Sequence, residues 1–443
     1  MTAARRGGFR RALFGVVLGL AALGAGTGTA RAQVAPAVLA DQLDGESADL
    51  RGFYAARGYR PLWVTDAGSP AAEALLDLIH DAKLDDVRPK KAREGDLRKA
   101  LERARDGGPE DRLRLELAAS RALVAYVQQM RGVAPAEMLV ADAAARPGVP
   151  SARAVLEMAG QAPSIEPFVR GMGWMNPFYA PVRAALAQAD GDRARLLRLN
   201  LDRLRALPGA DAPRYVMVDA AGARLWMIEG GRPVDTMKVV VGKPDMPTPM
   251  MAGVLRTAMV NPYWNIPPDL VRMRIAPNVL GKGMGYLKAK GYEVLSDWSD
   301  AAKPADPRLV DWRAVADGRQ EVRVRQRPGG DNFMGKVKFE FPNDQGIYLH
   351  DTPEKGLMKE DERQFSSGCV RLEDAPRLGR WLLGKPLPRG GKTPEQKVAL
   401  PEPVPVYITY LTAAPEADGT IAFRADPYNR DGLGNAGLLA RAR

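Results

Sequence analysis

The spacing of apolar residues changes once along this chain, near Pro213, and that change limits it to a helical region followed by a β-rich one. Before it, Ala72, Leu75, Leu76 and Ile79 recur at helical intervals. So do Leu97, Ala100, Leu101 and Ala104, and then Leu113, Leu117, Val124 and Val127, up to Gly132. A last periodic run, Leu197, Leu201 and Leu204, stops at Pro208-Gly209, and Asp106-Gly107-Gly108-Pro109 reads as a connection between helices. After Pro213, short strands are expected over 214–219, 223–229 and 234–241, separated by turns at Ala220-Ala221-Gly222 and Gly230-Gly231. Further strands are expected over 253–261, 321–326, 336–341, 346–350 and 404–410, and a closing helix over 374–383. Residues 263–318, broken by Pro, Gly and charged residues, are too long for a hairpin loop and read as an insertion with some helix of its own. The expected class is α+β, a mostly helical domain followed by a mainly antiparallel β domain. No internal repeat or low-complexity block interrupts it.

The first 32 residues stand apart. Arg5, Arg6, Arg10 and Arg11 precede an uncharged stretch from Ala12 to Ala30, which closes on Ala30-Arg31-Ala32. A basic start, an apolar centre and a small-x-small site are the marks of an export signal cleaved near Ala32, which leaves an exported mature protein. The glycines at 24, 26 and 28 weaken the alternative of a permanent anchor, so no stable membrane span is expected after cleavage. Arg10-Arg11-Ala12-Leu13-Phe14 resembles a twin-arginine signal, a pattern that basic leaders often share. The segment's five arginines leave with it and no acidic residue does, taking the net charge from +11 to +6. That mild excess suits an anionic wall polymer or membrane surface. It is not a nucleic-acid footprint, because no dense basic stripe interleaved with aromatics occurs.

One cysteine and two histidines exclude an internal disulfide and a structural zinc site of the usual Cys/His kind. A lone thiol in an exported protein is either buried and inert or kept for its reactivity. Its surroundings favour the second reading. Ile347-Tyr348-Leu349-His350-Asp351-Thr352-Pro353 ends an apolar strand on a histidine, and Phe365-Ser366-Ser367-Gly368-Cys369-Val370-Arg371 follows, with Cys369 19 residues past His350. An imidazole within reach of a thiol can take its proton and make it a nucleophile. Gly368 allows close approach of the backbone to a substrate, and amides around Cys369 are placed to stabilise an oxyanion. Arg371 puts a permanent positive charge near the thiolate or near a substrate carboxylate. His80, inside a helix, is read as structural or exposed.

These two stretches resemble the catalytic signature of the L,D-transpeptidase (YkuD-type) family, in which a histidine precedes a Ser/Thr-x-Gly-Cys motif. The resemblance extends to Val239-Val240-Val241-Gly242-Lys243-Pro244 with Thr248-Pro249, to Asn261-Pro262-Tyr263-Trp264-Asn265-Ile266-Pro267-Pro268, and to Arg327-Pro328-Gly329-Gly330-Asp331-Asn332. It covers roughly residues 213–412. Phe53-Tyr54 and Tyr59-Arg60-Pro61-Leu62-Trp63 resemble the scaffold domain of the family's large periplasmic subgroup. Ser367 and Arg371 stand where many members have histidine and asparagine, a form that the large subgroup shares. The peptidoglycan-binding repeat usual in that subgroup is not found, and residues 133–210 read as a reduced connector.

The resemblance implies an α+β chain with a signal peptide over 1–32, a helical scaffold and connector over 33–211, a catalytic domain over 212–412 and a tail over 413–443. The insertion at 263–318 would be a lid. It implies an acyltransferase in cell-wall biogenesis that forms 3-3 or 1-3 cross-links between peptidoglycan stem peptides. Cys369 would be the nucleophile, His350 the general base and acid, and Gly368 the oxyanion position. Candidate substrate-binding residues are Arg371, Ser367, Ser366, Tyr348 and Trp264. No metal or cofactor is implied, and wall-synthesis proteins are candidate partners. Acylation of Cys369 by carbapenems, with most penicillins failing, follows from the same resemblance. The alternatives are an L,D-carboxypeptidase, an enzyme attaching lipoprotein to the wall or releasing it, and a non-catalytic wall-binding protein. Common cysteine peptidases are disfavoured because in them the cysteine precedes the histidine.

Overall fold

The computed structural model describes residues 36–65, 69–133, 138–391, 393–416 and 418–432. The export signal expected over the first 32 residues lies outside them. Among the described residues, no helix is long and apolar enough to cross a membrane.

The N-terminal half is helical, as its periodicity predicts. Its principal helices are Ala48–Ala56, Pro70–His80, Glu94–Asp106, Pro109–Gly132, Ala152–Gln161, Tyr179–Leu186 and Gly191–Arg205. Proline occupies the first turn of the Pro70 and Pro109 helices, where its missing N–H has no intrahelical partner to lose. The helix Pro109–Gly132 runs through the centre of the bundle. Its Glu116, fully buried, accepts the backbone N–H groups of Leu62, Trp63 and Val64 at 2.6, 2.9 and 3.1 Å and the hydroxyl of Tyr54 at 2.7 Å. This one carboxylate ties together the two N-terminal motifs, Phe53-Tyr54 and the segment ending at Trp63. The helices of 152–205 share the same hydrophobic core, so this stretch is part of the bundle and not a loose connector. His80 is exposed, 3.2 Å from Glu94.

Among the described residues, eight strands of the second half form its main ring: β1 Arg214–Asp219, β2 Arg224–Glu229, β3 Arg232–Gly242, β4 Met251–Val260, β5 Val337–Glu340, β6 Leu349–His350, β7 Val370–Leu372 and β8 Gln396–Thr409, while short strands Leu139–Val140 and Gln364–Ser366 add to β4 and β3. Each of the eight pairs with the next in the spatial order β4-β5-β6-β7-β3-β2-β1-β8, and β8 pairs again with β4, which closes the sheet into a ring. Most of these pairings are antiparallel; β6–β7 and β8–β1 are parallel. The strand boundaries expected from sequence shift by a few residues. The largest change is β8, which begins at Gln396 and carries a register shift between Ala399 and Val404.

Strand alternation explains how the two halves join. Val216 and Val218 of β1 point into the ring core, while Tyr215 and Met217 belong to the core of the helical bundle. The same split separates Leu225 and Met227 from Trp226 and Ile228 on β2, and Val406 and Ile408 from Tyr407 on β8. These strands are buried on both faces, so the bundle and the ring form one packed body. The segment after β8, read from sequence as a tail, also belongs to it. A hairpin of Ala413–Pro415 and Ile421–Phe423 packs on the helices Tyr179–Leu186 and Gly191–Arg205.

The insertion is a subdomain with its own small core, which includes Leu270, Val271, Ile275, Trp312, Val315 and Val324. Its four-stranded sheet starts at Trp264–Ile266 and ends at Val324–Gln326, with Trp264 paired directly to Gln326. The unit is therefore longer than the expected 263–318, because its closing strand pairs with its first and not with the ring.

Candidate active site

The parallel pair β6–β7 positions the site. Leu349 lies opposite Val370, and His350 opposite Arg371. Leu349 and Val370 are fully buried in the ring core. Alternation therefore turns Tyr348 and His350 on one strand, and Cys369 and Arg371 on the other, to the opposite face. Lys338 of β5, opposite His350, joins them on that face. Residues 19 positions apart thus become neighbours without a long-range coincidence of loops.

Cys369, His350 and Arg371 line a cavity of about 420 Å³, whose far wall comes from the inserted subdomain through Trp264, Leu270 and Arg274. Trp264 packs on Phe333 with ring centroids 5.0 Å apart, and both rings border the cavity. Phe333 escaped the sequence reading, although it directly follows the Arg327-Pro328-Gly329-Gly330-Asp331-Asn332 motif. Among the described residues, no group of acidic, histidine and cysteine side chains could hold a metal ion.

Cys369 sits on a tightly held turn. Gly368 has φ +112°, a conformation that side-chain-bearing residues rarely adopt, and a Cβ there would lie 3.2 Å from Ile347. The Ser366 hydroxyl donates to the Cys369 carbonyl at 2.6 Å and accepts the Gly368 N–H at 3.2 Å. Ser366 was expected to bind substrate. It borders the cavity, its hydroxyl is engaged inside the turn, and the residue is 1% exposed. Ser367 is half-buried and lines the cavity. Tyr348 was also expected to line the pocket. Its ring instead stacks under the Lys338 ammonium at 5.3 Å, beside Cys369 but outside the main cavity. Trp264 lines the cavity as expected.

The two titratable groups are neutral at rest. Burial, reinforced by the Arg371 charge, lowers His350 from 6.5 to about 4. Burial pushes the Cys369 thiol up, against the Tyr348 N–H and the positive charges of Arg371 and Lys338, which pull it down. The cavity thus holds a thiol and an unprotonated imidazole. The thiol's hydrogen bond goes to the Gly346 carbonyl at 3.5 Å. Rotation about the Cα–Cβ bond moves Sγ between staggered positions, and catalytic hydrogen bonds often tighten only when substrate is bound. His350 Nδ1 contacts the Asp351 carbonyl at 2.6 Å. A carbonyl can only accept, so Nδ1 carries the proton and Nε2 keeps the lone pair a general base needs. Arg371 pairs with Glu354.

Comparison with known proteins finds matches to both halves of the chain. A family model of the L,D-transpeptidase catalytic domain (YkuD) matches residues 213–408, and one of the Scaffold domain matches residues 48–186. A curated Haemophilus influenzae protein that carries an L,D-transpeptidase name is 30% identical over 276 residues, covering 60% of this chain and 55% of that protein. The chain thus spans about half the length of that relative. Among solved structures, an L,D-transpeptidase from Mycobacterium smegmatis is 13% identical, with 44% of this chain and 58% of that one covered and a TM-score of 0.22. L,D-transpeptidase 3 from Mycobacterium tuberculosis is 12% identical, with coverage of 44% and 60% and a TM-score of 0.23. Residues 213–408 thus resemble a YkuD-type L,D-transpeptidase catalytic domain, with a match to the Scaffold domain ahead of it in sequence order.

Proposed function

We propose that this protein is a peptidoglycan L,D-transpeptidase in which Cys369 is the nucleophile and His350 the proton carrier. The observation that supports it best is the β6–β7 pairing, which puts Cys369, His350 and Arg371 on one wall of a cavity roofed by the inserted subdomain. Sγ attacks the carbonyl that follows the L-centre of meso-diaminopimelate in a donor stem peptide, and its proton passes to Nε2 of His350. The tetrahedral oxyanion lies near the Cys369 N–H, and its collapse expels D-alanine, which takes the proton from His350. A side-chain amine of a second stem then attacks the thioester, giving a 3-3 cross-link and restoring the thiol. The neutral resting pair suits this sequence, since charge separates only when substrate supplies a carbonyl to attack. Arg371, already beside the cavity, exchanges Glu354 for a stem carboxylate. The inserted subdomain restricts water, so that the amine competes successfully for the thioester. The enzyme acts in the periplasm.

The test is mass spectrometry of muropeptides after incubation with purified protein. The expected product is a 3-3 dimer, absent with Cys369→Ala, together with a thioester adduct on Cys369 when a carbapenem is supplied. A released D-alanine without dimer would replace the reading by a carboxypeptidase, and no adduct or product would reject it.

A further inference from the structure

The chain after β8 does not end at the helical bundle. It runs back across the junction and reaches the turn that carries the nucleophile. Arg203, on the helix Gly191–Arg205, pairs with Asp431 at 2.7 Å and donates to the Arg430 carbonyl at 3.0 Å. Both Arg203 and Asp431 have side chains that are almost fully buried. Between these anchors and the ring, Tyr428 stacks on Tyr410 with centroids 5.1 Å apart and ring planes 19° apart. The Arg430 guanidinium lies over both rings. The Tyr410 hydroxyl donates to Asp426 at 2.6 Å and accepts the Tyr428 N–H at 3.1 Å.

From there, a hydrogen-bond chain leads to Cys369. The Tyr428 hydroxyl donates to the Gly242 carbonyl at 2.6 Å. The Gly242 N–H donates to Thr248 Oγ1 at 2.8 Å, and the same hydroxyl donates to the Gly368 carbonyl at 2.8 Å. Gly242 cannot be replaced at this crossing, since a Cβ would lie 2.2 Å from the Met246 carbonyl. Thr248 is fully buried, so its bond to Gly368 has no competition from water. The peptide joining Gly368 to Cys369 is planar and trans, so holding its oxygen against Thr248 turns the Cys369 N–H to the opposite side. That N–H is the group the proposed reaction needs at the oxyanion.

We infer that residues 424–431 form a positioning strap, in which Tyr428, anchored to the helical bundle through Asp431, fixes the Gly368–Cys369 peptide through Thr248. Tyr428 and Asp431 lie beyond the matched catalytic region of 213–408, and neither lines the catalytic cavity. Their effect is on the geometry of the nucleophile turn and not on contact with substrate. The catalytic half of this inference rests on the function proposed above; the structural half does not.

Two measurements on the full chain test it, using Tyr428→Phe, which removes only the hydroxyl, and Asp431→Asn, which weakens the anchor from a distance. Thr248→Ser is the conservative control that keeps the bridging hydroxyl. The first measurement is amide hydrogen exchange in the free protein. Both variants are expected to speed exchange within residues 366–370 by roughly three- to tenfold, as loss of one modest hydrogen bond would, with melting temperature nearly unchanged for Tyr428→Phe, lowered for Asp431→Asn, which leaves buried Arg203 without its partner, and with Thr248→Ser like wild type. Exchange that is unchanged there, or raised only within 424–431, overturns the strap. The second is carbapenem acylation resolved into binding and chemical steps. Tyr428→Phe is expected to lower the acylation rate by a similar factor while the pre-acylation Kd stays constant. A loss confined to Kd overturns the positioning role. If wild type itself is not acylated, the functional reading fails, and the exchange experiment still decides whether the strap holds the turn.

Discussion

The Nδ1 atom of His350 lies 2.6 Å from the main-chain oxygen of Asp351, which leaves Nε2 as the free lone pair of a buried, neutral imidazole. This one contact sets the proton inventory of the site. It also makes the pH behaviour of the protein predictable.

His350 is lowered from 6.5 to about 4, so it remains an unprotonated base well into the acid range. The acid limb of carbapenem acylation is expected near pH 4, not near pH 6.5, and His350→Gln should lower acylation by roughly 10²- to 10⁴-fold. An acid limb at pH 6 to 7 would show that the imidazole is not shielded as described. The same shift affects stability. Because the unfolded chain binds this proton more readily, stability is expected to fall as pH drops from 6.5 towards 4 and to be unaffected by this group above 6.5. The full effect is about 3 kcal/mol. Denaturant midpoints of wild type and His350→Gln across that interval measure it, and parallel curves would remove the claim.

Arg371 pairs with Glu354 and helps to lower the His350 pKa. Arg371→Gln should therefore raise that pKa, since a nearby positive charge opposes imidazolium formation, and NMR titration of His350 would follow it. Arg371→Lys keeps the charge and should leave the titration near that of wild type. It should still lose most turnover on stem peptides, because an ammonium cannot make the two-pronged carboxylate contact. Normal turnover in the lysine variant would sink the carboxylate-binding role.

The inserted subdomain enters and leaves the ring at directly paired residues, Trp264 and Gln326. Replacing the intervening chain by a short glycine linker should leave the ring folded. Loss of the far wall should shift the fate of the thioester from cross-linking to hydrolysis, on the order of tenfold. An unchanged product ratio would show that the subdomain does not control access of water.

Glu116 accepts three backbone N–H groups and the Tyr54 hydroxyl while fully buried. Glu116→Ala strands those donors and should cost about 3 kcal/mol of stability. Glu94→Ala, at a largely exposed contact with His80 and Arg98, should cost well under 1 kcal/mol. Urea unfolding of the two variants compares them directly, and equal losses would contradict the assigned role of Glu116.

Much of this molecule was legible before any coordinates. The helical spacing of Leu113, Leu117, Val124 and Val127 and the strand alternation after Pro213 follow from covalent geometry, which repeats every 3.6 residues in a helix and every two in a strand. The His350 and Cys369 motifs were equally plain, because each is written in a few adjacent residues. Alternation on β6 and β7 then required Cys369 and Arg371 to share a face, as the sequence implied. What tertiary structure alone decided are contacts between distant segments, whose registers no local pattern encodes. Ser366 turned inward because the Gly368 N–H and the Cys369 carbonyl lie within its reach. Arg371 met Glu354, 17 residues earlier in the chain, once the residues after His350 folded beside β7. Burial of His350 against the cavity, beside the Arg371 charge, lowered its basicity in a way that no list of residues shows. The tail became a strap for the same reason: a tyrosine hydroxyl 186 residues from Gly242 found its carbonyl only after β8 closed the ring.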